Sequence, residues 1–206
     1  MSKIALTGNA LGSGTLTLAA PNTNTDRTLT LPDEAGTVLT TAGVPASAMP
    51  AGSVIQVVQG IKTDTASYAD GDWRDTLLSV SITPSLSSSK IFVMYSGQFS
   101  SVSSAYNIYT RITRNGTAIG IADLAGSRPQ ATSASTRIND GNSYQSSYGF
   151  FLDAPASTSS LTYKLEVWGQ TGGGTFYINR TGAGDSNNND SCPRTASTIT
   201  VMEIAG

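Results

Sequence analysis

The sequence predicts an all-β protein: an N-terminal strand-repeat appendage followed by a β-sandwich head of jelly-roll-like design. Charged residues make up only 13% of the chain, about half the usual ~25%, so the charged residues that favour helices are scarce. Ser and Thr replace them, and Thr together with Val, Ile and Tyr favours strands. Apolar residues also recur with period 2 between turn residues, which is typical of antiparallel strands.

The appendage is predicted from a near-repeat. The segments 14–18 (GTLTL) and 27–32 (RTLTLP) each alternate Thr with Leu, so each predicts a strand with one apolar face. Neither unit is long enough to bury that face alone, and we expect it to pack against other copies of the chain. The oligomer and attachment candidates are therefore Leu16, Leu18, Leu29 and Leu31.

Three regions follow from this pattern. Residues 1–41 form the appendage, and residues 42–52, which are rich in Ala, Pro and Gly, form a linker. Residues 53–206 form the head, which we expect to fold when residues 1–45 are removed. The closing run, 198–204, is expected to pair inside a sheet, because a terminal strand persists only when it is paired.

The head contains about nine strand-like runs. The segment 90–95 (KIFVMY) is almost wholly apolar, so it predicts a strand that is central or buried on both faces. Asn115-Gly116 between two alternating runs predicts a tight hairpin. Aromatic residues on strands are expected to be core residues, namely Phe92, Phe150, Phe151 and Phe176. The runs are 53–58, 78–82, 90–95, 107–114, 117–121, 148–152, 161–168, 175–179 and 198–204.

Composition excludes several classes of function. The chain has no His and one Cys, Cys192, so it cannot form a His-dependent catalytic triad, a His-ligated zinc site or an intrachain disulfide. The net charge of −2 lacks the basic stripe of a nucleic-acid-binding protein. No apolar run reaches the ~18 residues of a membrane span, and the N-terminus does not resemble a secretory signal. We therefore expect a non-enzymatic protein made in a cytoplasm, with no cofactor and no membrane insertion.

Each of four motifs allows a functional and a purely structural interpretation. Asp70 and Asp72, with Asp64 and Asp75 nearby, are oxygen ligands of the kind that Ca²⁺ takes, but they lack the EF-hand spacing. We expect a solvated turn and no metal. Glycines 172–174 are expected to form a hairpin turn, because no helix follows to complete a phosphate loop. Asp33-Glu34 is not expected to be a catalytic carboxylate pair, because adjacent side chains diverge on a strand, and Cys192 is expected to be a structural thiol.

Two long polar loops, 123–147 and 182–194, are the candidate contact surfaces. Loops of this length are uncommon without a function, although they can also be solvated connections. Their amides, hydroxyls and guanidinium groups suit sugar hydroxyls, and an aromatic ring can stack on a sugar. The receptor-binding candidates are Arg128, Arg137, Asn139, Asn142, Tyr144, Gln145, Asn188 and Asp190.

Residues 20–43, APNTNTDRTLTLPDEAGTVLTTAG, resemble a segment near the N-terminus of bacteriophage tail-fibre and related virion proteins. Residues 52–65 (GSVIQVVQGIKTDT), 79–93 (SVSITPSLSSSKIFV) and 192–206 (CPRTASTITVMEIAG) are similar to segments of phage virion proteins with a C-terminal β-sandwich head. The resemblance covers most of the chain except about 120–147. It is specific to phage structural proteins as a class.

The resemblance implies a homotrimeric fibre or spike on the tail or baseplate. Its N-terminal segment would attach to other virion proteins, and its head would face a glycan or protein of the host surface. The site of action would be the virion. A capsid-decorating head fibre is the alternative within the same class. A polysaccharide depolymerase is the less favoured alternative, because the chain is small, poor in carboxylates and without His.

Overall fold

The computed structural model describes residues 11–15, 17, 22–26, 28, 43–69, 71–101, 107–135, 143–172, 174–182 and 192–206. The chain divides into two compact units, Met1–Val38 and Leu39–Gly206. In the first unit the described residues are exposed and include no strand. The four leucines of the near-repeat and Asp33-Glu34 lie outside the described residues.

Helical structure in the described part of the chain is limited to one 3₁₀ turn, Ala46–Ala48, in the segment expected to be a linker. Within the residues described, no helix is long and apolar enough to cross a membrane. The end of this segment is tied to the C-terminus, because the Gly52 amide donates to the carbonyl of Ala205 over 2.7 Å and the Ala205 amide donates to Ser53 over 2.8 Å.

The second unit contains strands throughout the described residues. They are β1 (Val54–Lys62), β2 (Ala66–Ala69), β3 (Trp73–Ile82), β4 (Lys90–Ser101), β5 (Ile108–Arg114), β6 (Thr117–Ile119), β7 (Ser133–Ala134), β8 (Gln145–Asp153), β9 (Leu161–Gly169), β10 (Thr175–Ile178) and β11 (Ser197–Ile204).

These strands form two antiparallel sheets that pack as a sandwich. The first sheet has the order β1-β11-β4-β10-β2, with β8 paired to β4, and the second has the order β3-β9-β5-β6, with β7 paired to β5. Consecutive strands often lie in different sheets, so the chain crosses between sheets several times. The predicted all-β sandwich is therefore confirmed.

The core lies between the two sheets and takes alternate residues from each strand. The first sheet contributes Val93 and Val201, and the second contributes Ile112 and Leu165, all fully buried. The Tyr95 hydroxyl bonds to the Thr110 hydroxyl across the sandwich over 2.8 Å. Burial raises the pKa of Tyr95 above its ordinary value, although its hydroxyl partners oppose the shift. The phenol therefore stays neutral and bonded inside the core.

Most predicted strands are confirmed. Asn115 and Gly116 have φ values of 49° and 83° between β5 and β6, which is the paired positive φ that a two-residue hairpin requires. The closing strand, β11, lies between β1 and β4. The sequence reading missed β2 and β7, because strands of four and two residues are too short to show a period.

Two expectations are wrong. The glycine-rich turn at 172–174 does not close a hairpin, because β9 before it and β10 after it belong to different sheets. The turn is a crossing between sheets, with Gly172 at φ 94° and Gly174 at φ 88°. Phe150 and Phe92 are not core residues, since Phe150 is 72% exposed and Phe92 is partly buried outside the core cluster. Of the predicted core aromatics, Phe176 is fully buried and Phe151 packs against the core.

The outer face of the first sheet is apolar at its centre. Strand registers place three rows of residues on this face across β1, β11, β4 and β8, and we call these rows the apolar face. They are Val57-Met202-Phe92-Leu152, Gln59-Thr200-Met94-Phe150 and Ile61-Thr198-Ser96-Tyr148. The strand 90–95 is therefore central, as predicted, but it is buried on one face only.

Candidate functional site

The outer face of the second sheet carries a row of three aromatic side chains. Trp73 of β3, Trp168 of β9 and Tyr109 of β5 are cross-strand neighbours, and we call them the aromatic row. The two indole rings meet edge to face, with centroids 5.5 Å apart, an arrangement that ring quadrupoles favour. Each ring is only partly buried, so the row presents aromatic surface to solvent.

A row of charged residues lies beside the aromatic row. Arg111 pairs with Glu166 over 2.7 Å, and its guanidinium carbon lies 4.1 Å from the Trp73 ring centre. Lys164 pairs with Asp75 over 2.7 Å. The hydrogen bond from Lys164 to Asp75, and the charge of Asp75, raise the pKa of Lys164. The cation–π interaction with Arg111 holds the Trp73 indole in place.

A cavity of about 320 Å³ opens at the end of the aromatic row. Its lining combines aromatic surface with polar groups, which is the composition of small-ligand sites. The lining residues are Tyr109, Ser127, Pro129, Trp168, Gln170 and Thr171. We call it the aromatic cavity.

Several lining residues of the aromatic cavity carry hydrogen-bonding groups. Gln170 accepts a bond from the Asn107 amide through its Oε1 over 2.8 Å, which leaves its Nε2 without a partner among the described residues. Tyr109 and Trp168 add a phenol hydroxyl and an indole N–H to the polar groups of the lining residues. An aromatic surface beside hydrogen-bonding groups suits a sugar, which has an apolar ring face and several hydroxyls.

A second cavity of about 310 Å³ is lined by residues of β7 and of the start of β8. Ser133, Ser135 and Ser146 are among its lining residues, with Gln145 and Tyr148. Two of its hydroxyls already have protein acceptors, because Ser135 donates to the carbonyl of Ile108 and Ser146 donates to Gln98. It is therefore less available to a ligand than the aromatic cavity.

The predicted receptor-binding residues that are described do not converge on one point. Arg128 is exposed in a turn beside the aromatic cavity, between Ser127 and Pro129. Gln145 lines the second cavity. The Tyr144 hydroxyl donates to the carbonyl of Pro193, so the two predicted loops meet there. The candidates outside the described residues are Arg137, Asn139, Asn142, Asn188 and Asp190.

The sequence analysis did not select Trp168, Tyr109 or Gln170. A signal for Trp168 was present, because the alternation of β9 places it on the same face as Lys164 and Glu166. A tryptophan on the polar face of a strand is an exposed aromatic, and exposed aromatics are enriched where proteins bind. Tyr109 is identified only through its cross-strand pairing with Trp168.

The aspartates near residue 70 have separate partners. Asp64 accepts from Lys62 over 2.8 Å, and the Asp72 side chain caps the Trp73 amide over 2.8 Å. Asp75 accepts from Lys164. In the described part of the chain no three His, Cys, Asp or Glu residues form a group that could hold a metal ion. Asp70 lies outside the described residues.

Comparison with known proteins gives little further information. No protein-family model matches the chain, and no curated protein matches it. Among solved structures, a chain from the structure of infectious bursal disease virus Gx strain is similar at 13% identity and a TM-score of 0.38. The similarity covers 73% of this chain and 37% of that chain.

Proposed function

We propose that this chain is a bacteriophage virion structural protein, a short homotrimeric fibre or spike that binds host-surface saccharide without catalysis. The N-terminal segment would join it to other virion proteins. The observation that carries the binding role is the aromatic cavity, where Trp168 and Tyr109 lie beside the polar side chains of Ser127, Gln170 and Thr171. The resemblance of residues 20–43 to phage virion proteins supports the structural role.

Binding at one such cavity would be weak. Each hydrogen bond to a sugar contributes about 0.5–1.5 kcal/mol net, and a cavity of about 320 Å³ holds only a short saccharide. Three copies on one particle would raise the avidity when their spacing matches that of the host glycan. Weak individual sites on a multivalent particle suit the attachment of a fibre to a cell surface.

The test is an array of bacterial surface oligosaccharides probed with the full chain. Both tryptophans of the chain belong to the aromatic row, so intrinsic fluorescence reports binding directly. Trp168→Ala should weaken binding by about 10-fold or more, since a central aromatic often dominates a binding surface. The matched control is Tyr177→Ala: Tyr177 also lies under an arginine, Arg180, at 4.1 Å, but does not line the aromatic cavity.

A second set of variants separates the cavity from the predicted loop. Changing Arg137, Asn142 and Tyr144 together to Ala tests the loop candidates. If only this variant loses binding, the loop and not the aromatic cavity is the contact surface. If the wild-type chain binds no oligosaccharide and is found on the capsid of intact particles, the capsid-decorating alternative replaces the receptor-binding proposal.

A further inference from the structure

We infer that the apolar face is where a second copy of this chain packs. This inference concerns the head alone and does not depend on the proposed saccharide binding. The face contains three large side chains from the single strand β8. Tyr148 and Phe150 are each 72% exposed and Leu152 is 48% exposed. Large apolar side chains on the solvent side of a sheet indicate a surface that another molecule covers.

The exposed side chains form one continuous surface. Phe92 and Phe150 are in ring contact, with centroids 6.1 Å apart, and Val57 and Ile61 extend the surface to β1 at the opposite edge of the four strands. With aromatic side chains of ~150–250 Å² each, the accessible part of the face is on the order of 600–800 Å². A standard interface buries about 800 Å² on each partner, so the area of the face matches one side of a stable interface.

The charge pattern favours a copy of the same chain. None of the twelve positions in the three rows is Asp, Glu, Lys or Arg. Lys90 lies at one end of the face, where its neighbour on β11 is Ile204. Two copies of an uncharged face can meet without like-charge repulsion and without burying an unpaired charge. The Gln59 amide nitrogen already donates to the Thr200 hydroxyl over 2.9 Å within the sheet.

The strand β8 lies at an edge of the first sheet, so a neighbouring copy can approach the apolar face there. Among the described strands, β8 pairs with β4 alone, so it forms an edge of the first sheet. Proteins usually protect a long apolar edge strand with charges or with another element. β8 carries no charged residue before Asp153. A neighbouring copy would cover the face and this edge together.

The test uses the full chain and two variants of equal charge. The first is Tyr148→Lys with Phe150→Lys. The control is Leu77→Lys with Leu124→Lys, which changes two leucines that are 64% and 74% exposed outside the apolar face. Sedimentation equilibrium should show association of the wild type and the control. The face variant should have a dissociation constant larger by at least about 100-fold, because two central aromatics are removed and two charges enter the contact.

The N-terminal leucines could also hold copies together, so a second measurement, hydroxyl-radical labelling, tests whether the apolar face itself becomes covered. Labelling of Tyr148 and Phe150 should fall several-fold as the wild-type protein associates, whereas labelling of Leu124 should not change. Melting temperatures within a few degrees of wild type would establish that both variants fold. A wild-type chain that stays monomeric at about 100 μM, or associated wild type with undiminished labelling of Tyr148 and Phe150, would overturn the inference. Saccharide binding by such a monomer would leave the proposed function intact.

Discussion

The outer faces of the two sheets differ in composition although the strands beneath them are similar. The face of the first sheet has no charged residue in its three central rows. The face of the second sheet carries the ion pairs Arg111–Glu166 and Lys164–Asp75 beside the aromatic row. Charges keep a sheet face soluble and exposed, whereas a face without charges is stable when covered. On this difference rest our proposals that copies of the chain assemble through the face of the first sheet and that a ligand contacts the face of the second.

Aromatic residues of the same kind lie in different environments in the two sheets. Phe176 points inward from the first sheet, Phe150 points outward from it, and Trp168 points outward from the second. Residue type alone did not distinguish them. Strand register did, because a shift of one residue moves a side chain to the opposite face.

The largest expected effect tests the inward and outward faces of the first sheet. Phe176→Ala should lower the free energy of unfolding by about 3–5 kcal/mol, because a fully buried ring leaves a cavity. Phe150→Ala should change it by less than about 1 kcal/mol in dilute solution, since an exposed ring loses little on truncation. Urea unfolding of both variants checks this. Equal losses would mean that Phe150 is covered within a single chain.

A buried carboxylate at the end of the first sheet gives the next largest effect. Glu203 is fully buried and accepts from Gln56 over 2.6 Å, from the Ser85 amide over 2.6 Å and from Ser89 over 2.7 Å. Burial raises the pKa of Glu203, but these hydrogen bonds outweigh it and leave the pKa below the ordinary 4.5. Glu203→Gln should therefore cost about 1.5–3 kcal/mol near neutral pH.

The pH dependence follows from the sign of that shift. The folded chain holds the Glu203 proton less tightly than the unfolded chain, so the stabilisation is present above pH 4.5 and is lost as the pH falls through the folded pKa. The difference between wild type and Glu203→Gln should shrink over that range in urea unfolding at fixed protein concentration. A difference that stays constant from about pH 7 to about pH 3 would contradict the role of the ionised carboxylate.

The sequence predicted the strands better than it predicted the site. Alternation along β3, β5, β9 and β11 is visible without a structure, and so is the Asn115-Gly116 turn. Which sheet a strand joins is not visible, because it depends on long-range pairing. The turn at 172–174 was therefore mistaken for a hairpin.

The candidate site depends on the same long-range pairing. Residues 109, 127–129 and 168–171 are far apart in sequence and meet only because β5 lies between β9 and β7. Arg128, whose neighbours line the cavity, was predicted from its loop, but the two aromatic side chains on strands were not. Composition indicated loops rich in amides and hydroxyls with one aromatic, whereas the aromatic cavity is a different set of residues that the register of β5 and β9 brings together.

The smallest expected effect concerns an ion pair on the charged face. The side chains of Lys164 and Asp75 are 40% and 36% exposed, so water screens their 2.7 Å contact. Lys164→Met should cost less than about 1 kcal/mol of stability. The loss should diminish when salt rises from about 0.1 M to about 1 M, because the screening length falls from ~10 Å to ~3 Å.

Lys90→Met is the matched control for this variant, since Lys90 is exposed at the end of the apolar face and has no ion-pair partner among the described residues. The stability of Lys90→Met should equal that of wild type, and the difference between the two should not depend on salt. Association through the apolar face should also persist at high salt, because burial of uncharged surface is not screened. A contrary result would be that high salt dissociates the copies while the stability difference between Lys164→Met and wild type does not depend on salt. Charge would then stabilise the assembly, and the proposed roles of the two faces would be wrong.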